Sequence, residues 1–192
     1  DNGVLNDMDG DGEFDENERL SDQAFTTATV LENLAPTADA DGPYMVDEGS
    51  SITLAGSGSD PNGDPLTYEW DLDNDGAFDD ATGQNPTYTG LDDGVYPVTL
   101  RVTDGLLENS DSSTVTVNNV APNVEAGPDQ TPVEGDTVTF NGSFDDPGTQ
   151  DTHTITWDFG DGTPPVSGTL APTHVYPDNG TFVGTLTVTD DD

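Results

Sequence analysis

The chain has no cysteine and no lysine, and its only strong cations, Arg19 and Arg101, face 40 aspartates and glutamates, for a formal charge of −38 over 192 residues. Without cysteine, disulfides are excluded as the staple of the fold. A polyanion of this density is repelled by nucleic acid and by anionic membrane surfaces, which sets both aside as partners. No apolar run approaches the length of a membrane helix, so membrane insertion is not expected, and no secretory leader is visible. Histidine occurs twice, at His153 and His174, with no thiol anywhere and no serine partner nearby in sequence. No nucleophilic centre is therefore legible, and the chain reads as a non-enzyme without catalytic residues. Glycosidase-type acid pairs could be drawn anywhere in so acidic a chain and carry no signal. The chain opens on Asp1 rather than Met, so it reads as a processed product or a piece of something longer.

Hydrophobic residues are also scarce, at 30%, which places the composition near that of disordered chains. Their arrangement argues the other way. Leu66, Tyr68, Trp70 and Leu72 alternate with polar residues, as do Ile155, Trp157 and Phe159. A period of two marks a half-buried strand, and here it places both tryptophans inward. Each run then breaks into Asp/Gly turns, Asp73-Asn74-Asp75-Gly76 and Gly160-Asp161-Gly162, which supply the positive φ that a tight turn needs.

The chain also repeats itself. Ala35-Pro36 recurs as Ala121-Pro122, Glu48-Gly49 as Glu134-Gly135, and Leu100, Val102 and Asp104 as Leu186, Val188 and Asp190, each 86 positions on. That length suits an immunoglobulin-like sandwich. Strands are expected near 37–47, 50–56, 65–72, 86–89, 94–103 and 112–120, and again near 123–133, 136–142, 153–159, 164–175 and 180–189, with 118–122 as a short linker. The fold class that follows is all-β: two tandem sandwiches, 35–120 and 121–192, preceded by an arm of residues 1–34.

Trp157-Asp158-Phe159-Gly160-Asp161-Gly162 resembles the signature of the PKD (polycystic kidney disease-type) domain, and the resemblance covers roughly residues 35–192. It implies immunoglobulin-like sandwiches of secreted or cell-surface proteins, serving structure or contact rather than chemistry. Pro172-Thr173-His174-Val175-Tyr176 resembles the tail of that family, in which the His and Tyr are structural. The first copy departs from the pattern with a longer acidic loop after Trp70, and the second departs by ending early.

The ends are out of step with the repeat. Ser112–Val120 reads as a last strand of the first copy, and the second copy reaches Asp192 before any counterpart. Residues 26–34 align with that strand at the same offset of 86, so the chain carries a spare last strand at its start. A sandwich lacking its last strand exposes an unpaired edge, and a neighbour's extended segment fills such an edge by strand donation. Repeated head to tail, the contact makes an open fibre. The expectation is an extracellular structural protein whose segment near 24–34 completes the second domain of the next copy. The alternative is a spacer, adhesion or carbohydrate-binding accessory module of a larger secreted enzyme or surface adhesin, with surface glycans or extracellular proteins as partners.

Calcium is the expected cofactor. Residues 7–18 match the twelve-residue EF-hand loop, with carboxylates of Asp7, Asp9 and Asp11, the carbonyl of Glu13, a water-mediated Asp15 and a bidentate Glu18. Gly12 stands at the sharp turn, and only the entering helix is lacking. After Trp70 the spacing recurs in Asp71, Asp73, Asp75, the Ala77 carbonyl and Asp79, but Thr82 holds the twelfth position, so Asp80 is the candidate to replace the missing carboxylate. Asp60–Asp64 and Asp145–Pro147 are weaker acidic loops near a domain junction. Oxygen-only donors favour calcium over zinc. Asn141-Gly142-Ser143 and Asn179-Gly180-Thr181 are candidate glycosylation sites.

Overall fold

The computed structural model describes residues 26–191. The expected calcium loop at 7–18 and the start of the arm at 24–25 lie outside the described residues. The chain divides into two compact units, residues 1–32 and 33–192. In the first, residues 26–32 form no regular secondary structure and are exposed, Val30 and Leu31 to 92% and 78%.

The second unit is built from strands alone among the described residues. The first copy contributes β1 (Thr37–Asp39), β2 (Tyr44–Asp47), β3 (Ser51–Thr53), β4 (Ser57–Ser59), β5 (Thr67–Asp71), β6 (Ala81–Thr82), β7 (Thr87–Thr89), β8 (Gly94–Thr103) and β9 (Glu108–Asn118). One sheet has the order β2-β9-β8-β5-β6, with β2 parallel to β9 and the other pairs antiparallel. The pairs β1–β4 and β3–β7 are the remaining ladders of the sandwich. Alternation on β8 and β9 buries Val98, Leu100, Val102, Val115 and Val117, and Trp70 stands opposite Leu100 on β5. Leu66, Tyr68 and Leu72 join that core, as their spacing predicts.

The second copy contributes β10 (Asn123–Glu125), β11 (Thr137–Thr139), β12 (Ser143–Asp145), β13 (Thr154–Asp158), β14 (Val166–Ser167), β15 (Thr173–Val175) and β16 (Thr185–Thr189). Its sheets are β14-β13-β16, β10–β12 and β11–β15. Trp157 pairs with Leu186 across β13 and β16, and with Phe159 and Val188 forms a smaller core.

Gly56 and Gly142 hold the same repeat position, and each lets a tryptophan ring come close. A Cβ on Gly56 would lie 2.7 Å from Trp70 Cζ2, and one on Gly142 3.0 Å from Trp157 Cζ2. A side chain at either position would push the ring out of its slot.

Several expected strands prove shorter or broken. The run 37–47 splits because Asp41 (φ 54°) and Gly42 (φ 89°) turn the chain, so β1 pairs with β4 and β2 crosses to β9. Tyr44 ties the crossing: its hydroxyl donates to the Ala40 carbonyl at 2.7 Å and accepts from the Ala55 N–H at 2.9 Å. The run 50–56 becomes β3 with β4 beyond it, and 136–142 becomes β11 with β12 beyond it. The run 164–175 shrinks to β14 and β15 because Pro164, Pro165 and Pro172 cannot donate to a ladder. The run 180–189 shrinks to β16.

The expected strand 123–133 keeps only its first three residues, and the contrast with the first copy gives the reason. There β2 is held by β9, which also covers the outer edge of β8. Here β16 pairs with β13 alone among the described residues, so no strand is available to hold a counterpart of β2. Val133 and Val183 are left 69% and 73% exposed.

Candidate metal centre

β5 delivers its last residue, Asp71, into a loop that folds around its own carboxylates. Asp71 is buried, 4% exposed, beside the fully buried Trp70. Its Oδ2 accepts from the Gly76 N–H at 3.0 Å, Asp73 Oδ1 accepts from the Asp75 N–H at 3.1 Å, and Asp75 Oδ1 accepts from the Ala77 N–H at 2.7 Å. Left-handed Asn74 (φ 58°) and Gly76 (φ 89°) curl the backbone so that these carboxylates converge. One oxygen each from Asp71, Asp73 and Asp75 lies within 4.8 Å of the others. Oxygens held at 2.3–2.6 Å around a calcium ion lie at most about 5 Å apart, so the three fit one coordination sphere.

Electrostatics agree with the geometry. Asp71 Oδ1 is buried with no hydrogen-bond partner among the described residues. The Asp75 N–H pulls the Asp73 carboxyl down, but burial and the carboxylates of Asp75, Asp80 and Asp71 together outweigh it and leave the group raised. A cation would relieve the orphaned oxygen and the repulsion together.

Asp79 and Asp80 are exposed and stand outside this trio. Asp80 Oδ2 accepts from the Leu72 and Asp73 N–H groups at 2.6 and 3.1 Å and so closes the base of the loop. Next to Ala77, Phe78 lies under the Arg101 guanidinium, 4.4 Å from its ring centre. Arg101 in turn pairs with Glu69 at 2.6 Å.

A second acidic group forms at 60–64. Asp60, Asp64 and Asp104 each bring a ligand oxygen within 4.8 Å of the others. Asp60 Oδ1 accepts from the Asn62 and Asp64 N–H groups, and its Oδ2 is buried without a partner among the described residues. The N–H groups of Leu107 and Leu106, with the Asn33 amide, hold the Asp104 carboxyl below its usual range. Sequence spacing found this loop but not Asp104, which comes from the far end of β8. The available signal was the repeat itself, which carries Asp104 and Asp190 at matching positions.

The histidines are built into the packing. His174 stacks on Phe159 at 4.1 Å, meets Tyr176 edge-on at 4.7 Å, and bonds Asp161 through Nε2 at 2.7 Å. The Thr163 hydroxyl and N–H, helped by His174, hold the Asp161 carboxyl down to about 2. His153 bonds Asp146 at 2.8 Å and lies 4.6 Å from the Phe144 ring. Both tryptophans are buried. An open groove of about 490 Å³ runs past Leu72, Tyr88, Leu91 and Tyr96, but the Tyr96 hydroxyl is turned to the Asp92 and Asp93 carbonyls at 3.0 Å. Asn141 and Asn179 are exposed in the loops after β11 and β15. Among the described residues, no helix is long and apolar enough to cross a membrane.

Two successive sandwiches with acidic loops at their strand ends define a tandem immunoglobulin-like module. The sequence model of the PKD domain matches residues 33–118 and 119–192, and the chain belongs to that family. It is 32% identical over 133 residues to chitinase A of Pseudoalteromonas piscicida, which covers 63% of this chain and 16% of that protein. Among solved structures, it is similar to fibronectin(III)-like modules of Clostridium thermocellum CbhA, at 12% identity and a TM-score of 0.35, covering 82% of this chain and 86% of that one. It is also similar to a carbohydrate-binding module of the β-sandwich superfamily, at 14% identity and a TM-score of 0.40, covering 83% and 85%.

Proposed function

We propose that this tandem is a calcium-stabilised structural protein of the cell exterior that does no chemistry and joins head to tail. The observation that carries the reading is the outer edge of β16. In the first copy the equivalent strand, β8, is paired on both sides, whereas β16 is paired on one side among the described residues. Residues 26–34 align with β9 through the repeat, carry no ladder, and expose Val30, Leu31 and Leu34. Laid along β16 of another copy, that segment would close the sheet and cover apolar surface. Calcium at 7–18 and at Asp71, Asp73 and Asp75 would order the arm and the β5 loop, adding stability by mass action.

The 192-residue chain, in millimolar calcium and beside a truncation lacking residues 1–34, is the material for the test. Negative-stain microscopy should show filaments from the full chain and monomers from the truncation. Monomers from both would end the assembly reading. The match to chitinase A favours a second one, a spacer beside a catalytic domain in a larger secreted protein. The inward tryptophans fit a spacer better than a sugar-binding platform. Retention of the chain on insoluble chitin would overturn the spacer in favour of direct glycan binding.

A further inference from the structure

The linker between the sandwiches is short, and the surfaces beside it press together. Gly49 (φ 69°) follows β2, and a Cβ there would lie 2.7 Å from Pro147 Cβ of the second copy. Beside it Glu48 is 1% exposed. Its N–H donates to the Asn118 carbonyl at 3.0 Å, and its Oε1 accepts from the Val120 N–H at 2.6 Å, so the side chain points into the junction. Its Oε2 is buried and has no partner among the described residues.

Across the junction, Asp151 precedes β13 with both carboxylate oxygens buried and unpartnered among the described residues. Asp92, from the loop before β8, completes the group: Glu48, Asp92 and Asp151 each place a ligand oxygen within 4.8 Å of the others. Asp146 and His153 stand beside them, with Asp146, Asp151 and His153 equally close together. Asp146 is itself engaged by His153 and by the Gly148 N–H.

The repeat supplies an internal control. Glu134 occupies the position of Glu48 in the second copy, 86 residues on, and is exposed. Among the described residues Glu134 has neither a following sandwich nor a counterpart of β9 and the linker beside it, whereas Glu48 is enclosed by both. Gathering three carboxylates in one pocket, Glu48 buried and Asp92 and Asp151 half-buried, is costly unless a counter-charge joins them. Burial, and then the carboxylates of Asp151, Asp146 and Asp93, push the Glu48 carboxyl up, while burial, Asp146, Asp92 and Asp191 do the same to Asp151. The one strong cation among the described residues, Arg101, is engaged with Glu69 and Glu108. His153, the one other basic side chain beside the group, is bonded to Asp146, so Glu48 Oε2 and both Asp151 oxygens are left open to a cation from solution.

We propose that a hard divalent cation of the calcium class binds between the sandwiches on Glu48, Asp92 and Asp151 and locks their relative orientation. The donors are all carboxylate oxygens at the mutual spacing of a calcium sphere, and they come from both domains. Binding therefore requires the docked arrangement and stabilises it. The site is independent of the acidic loops after β5 and at 7–18, and it would serve a spacer and a fibre subunit alike.

Calcium chloride is titrated calorimetrically into the 192-residue chain and into Glu48→Gln/Asp151→Asn. The double variant is expected to take up one fewer equivalent, with the remaining equivalents unchanged. X-ray scattering should show the parent chain broadening its inter-domain distance distribution in chelator, and the variant broad with or without calcium. Equal stoichiometry in parent and folded variant would overturn the proposal. Should the double variant fail to fold, Asp92→Asn provides the same comparison from a half-buried position, again with loss of one equivalent expected and an unchanged count overturning it.

Discussion

Removing one oxygen from Tyr44 tests how the first sandwich is closed. The hydroxyl sits where the chain leaves β1 for the other sheet, and it bonds the Ala40 carbonyl at 2.7 Å and the Ala55 N–H at 2.9 Å. Tyr44→Phe keeps the ring and its packing, so no cavity forms and the change isolates the two bonds. Ala40 is fully buried, so its carbonyl would lose its partner with no water to replace it, at about 1–3 kcal/mol. Ala55 is exposed, and its N–H can recover a water, which limits that loss to about 1 kcal/mol. The sum is about 2–4 kcal/mol. With a urea slope of about 1–2 kcal/mol/M for a domain this small, the midpoint should fall by about 1–4 M.

The assay is urea unfolding in fixed calcium followed by tryptophan fluorescence, with hydrogen exchange over residues 40–59 as the local reporter. Each sandwich carries one buried tryptophan, Trp70 or Trp157, so exchange assigns the change to the first domain. Burial, against the pull of the Ala55 N–H, keeps the Tyr44 phenol above its ordinary range, so the comparison holds across neutral and mildly alkaline pH. A midpoint within about 0.3 M of the parent, with unchanged exchange, would refute the clip and leave the β1–β2 crossing to backbone pairing alone.

Acid should act on the second domain through Asp161. Its carboxyl is lowered from 3.8 to about 2, so its contribution is complete above pH 4 and is lost as pH falls toward 2; Asp161→Asn should flatten that limb of the Trp157 transition, and an unchanged limb would count against it. Gly142→Ala should cost about 1–3 kcal/mol, because the new methyl meets Leu186 Cδ2 and Trp157 Cζ2 in a close-packed core; a neutral result in thermal unfolding would show that the core has slack. Arg101→Ala should cost no more than about 1 kcal/mol despite its 2.6 Å contact to Glu69, since both side chains are about a third exposed and salt screens them. Asp71→Asn should weaken one calcium equivalent by about tenfold or more, because it removes charge from a three-carboxylate shell, with the count of tight equivalents read by calorimetry.

The fold was legible where one period ruled. Trp70, Trp157 and their alternating neighbours lie inward as the spacing implies, and β8 occupies the expected 94–103. Strand ends were less legible because they depend on partners. Residues 37–47 read as one strand, since nothing local says that Asp41 and Gly42 pass the chain between sheets. Residues 126–133 are expected as strand from the repeat, but Gly127 (φ 86°), Pro128 and Pro132 interrupt the run, and no described strand stands where β9 holds β2 in the first copy. At the site, spacing brought out Asp71, Asp73 and Asp75 because three ligands follow one another along the loop. Glu48, Asp92 and Asp151 come from three loops of two domains, a proximity created only by docking the sandwiches.

That docking also bears on the composition. A chain at −38 with so little apolar material gains least from a larger core and most from reducing self-repulsion where folding crowds its acids. The crowding falls in separate places: Asp60, Asp64 and Asp104 around the start of β5, Asp71, Asp73 and Asp75 after its end, and Glu48, Asp92 and Asp151 at the junction of the sandwiches. Asp60 and Asp190 each keep a buried oxygen without a partner among the described residues. Carboxylates spread over a surface would be screened by salt and cost little. Gathered and orphaned, they are costly without a counter-charge, so on the proposed junction site the acidity that looks indiscriminate in the sequence would make the stiffness of the tandem depend on divalent ions.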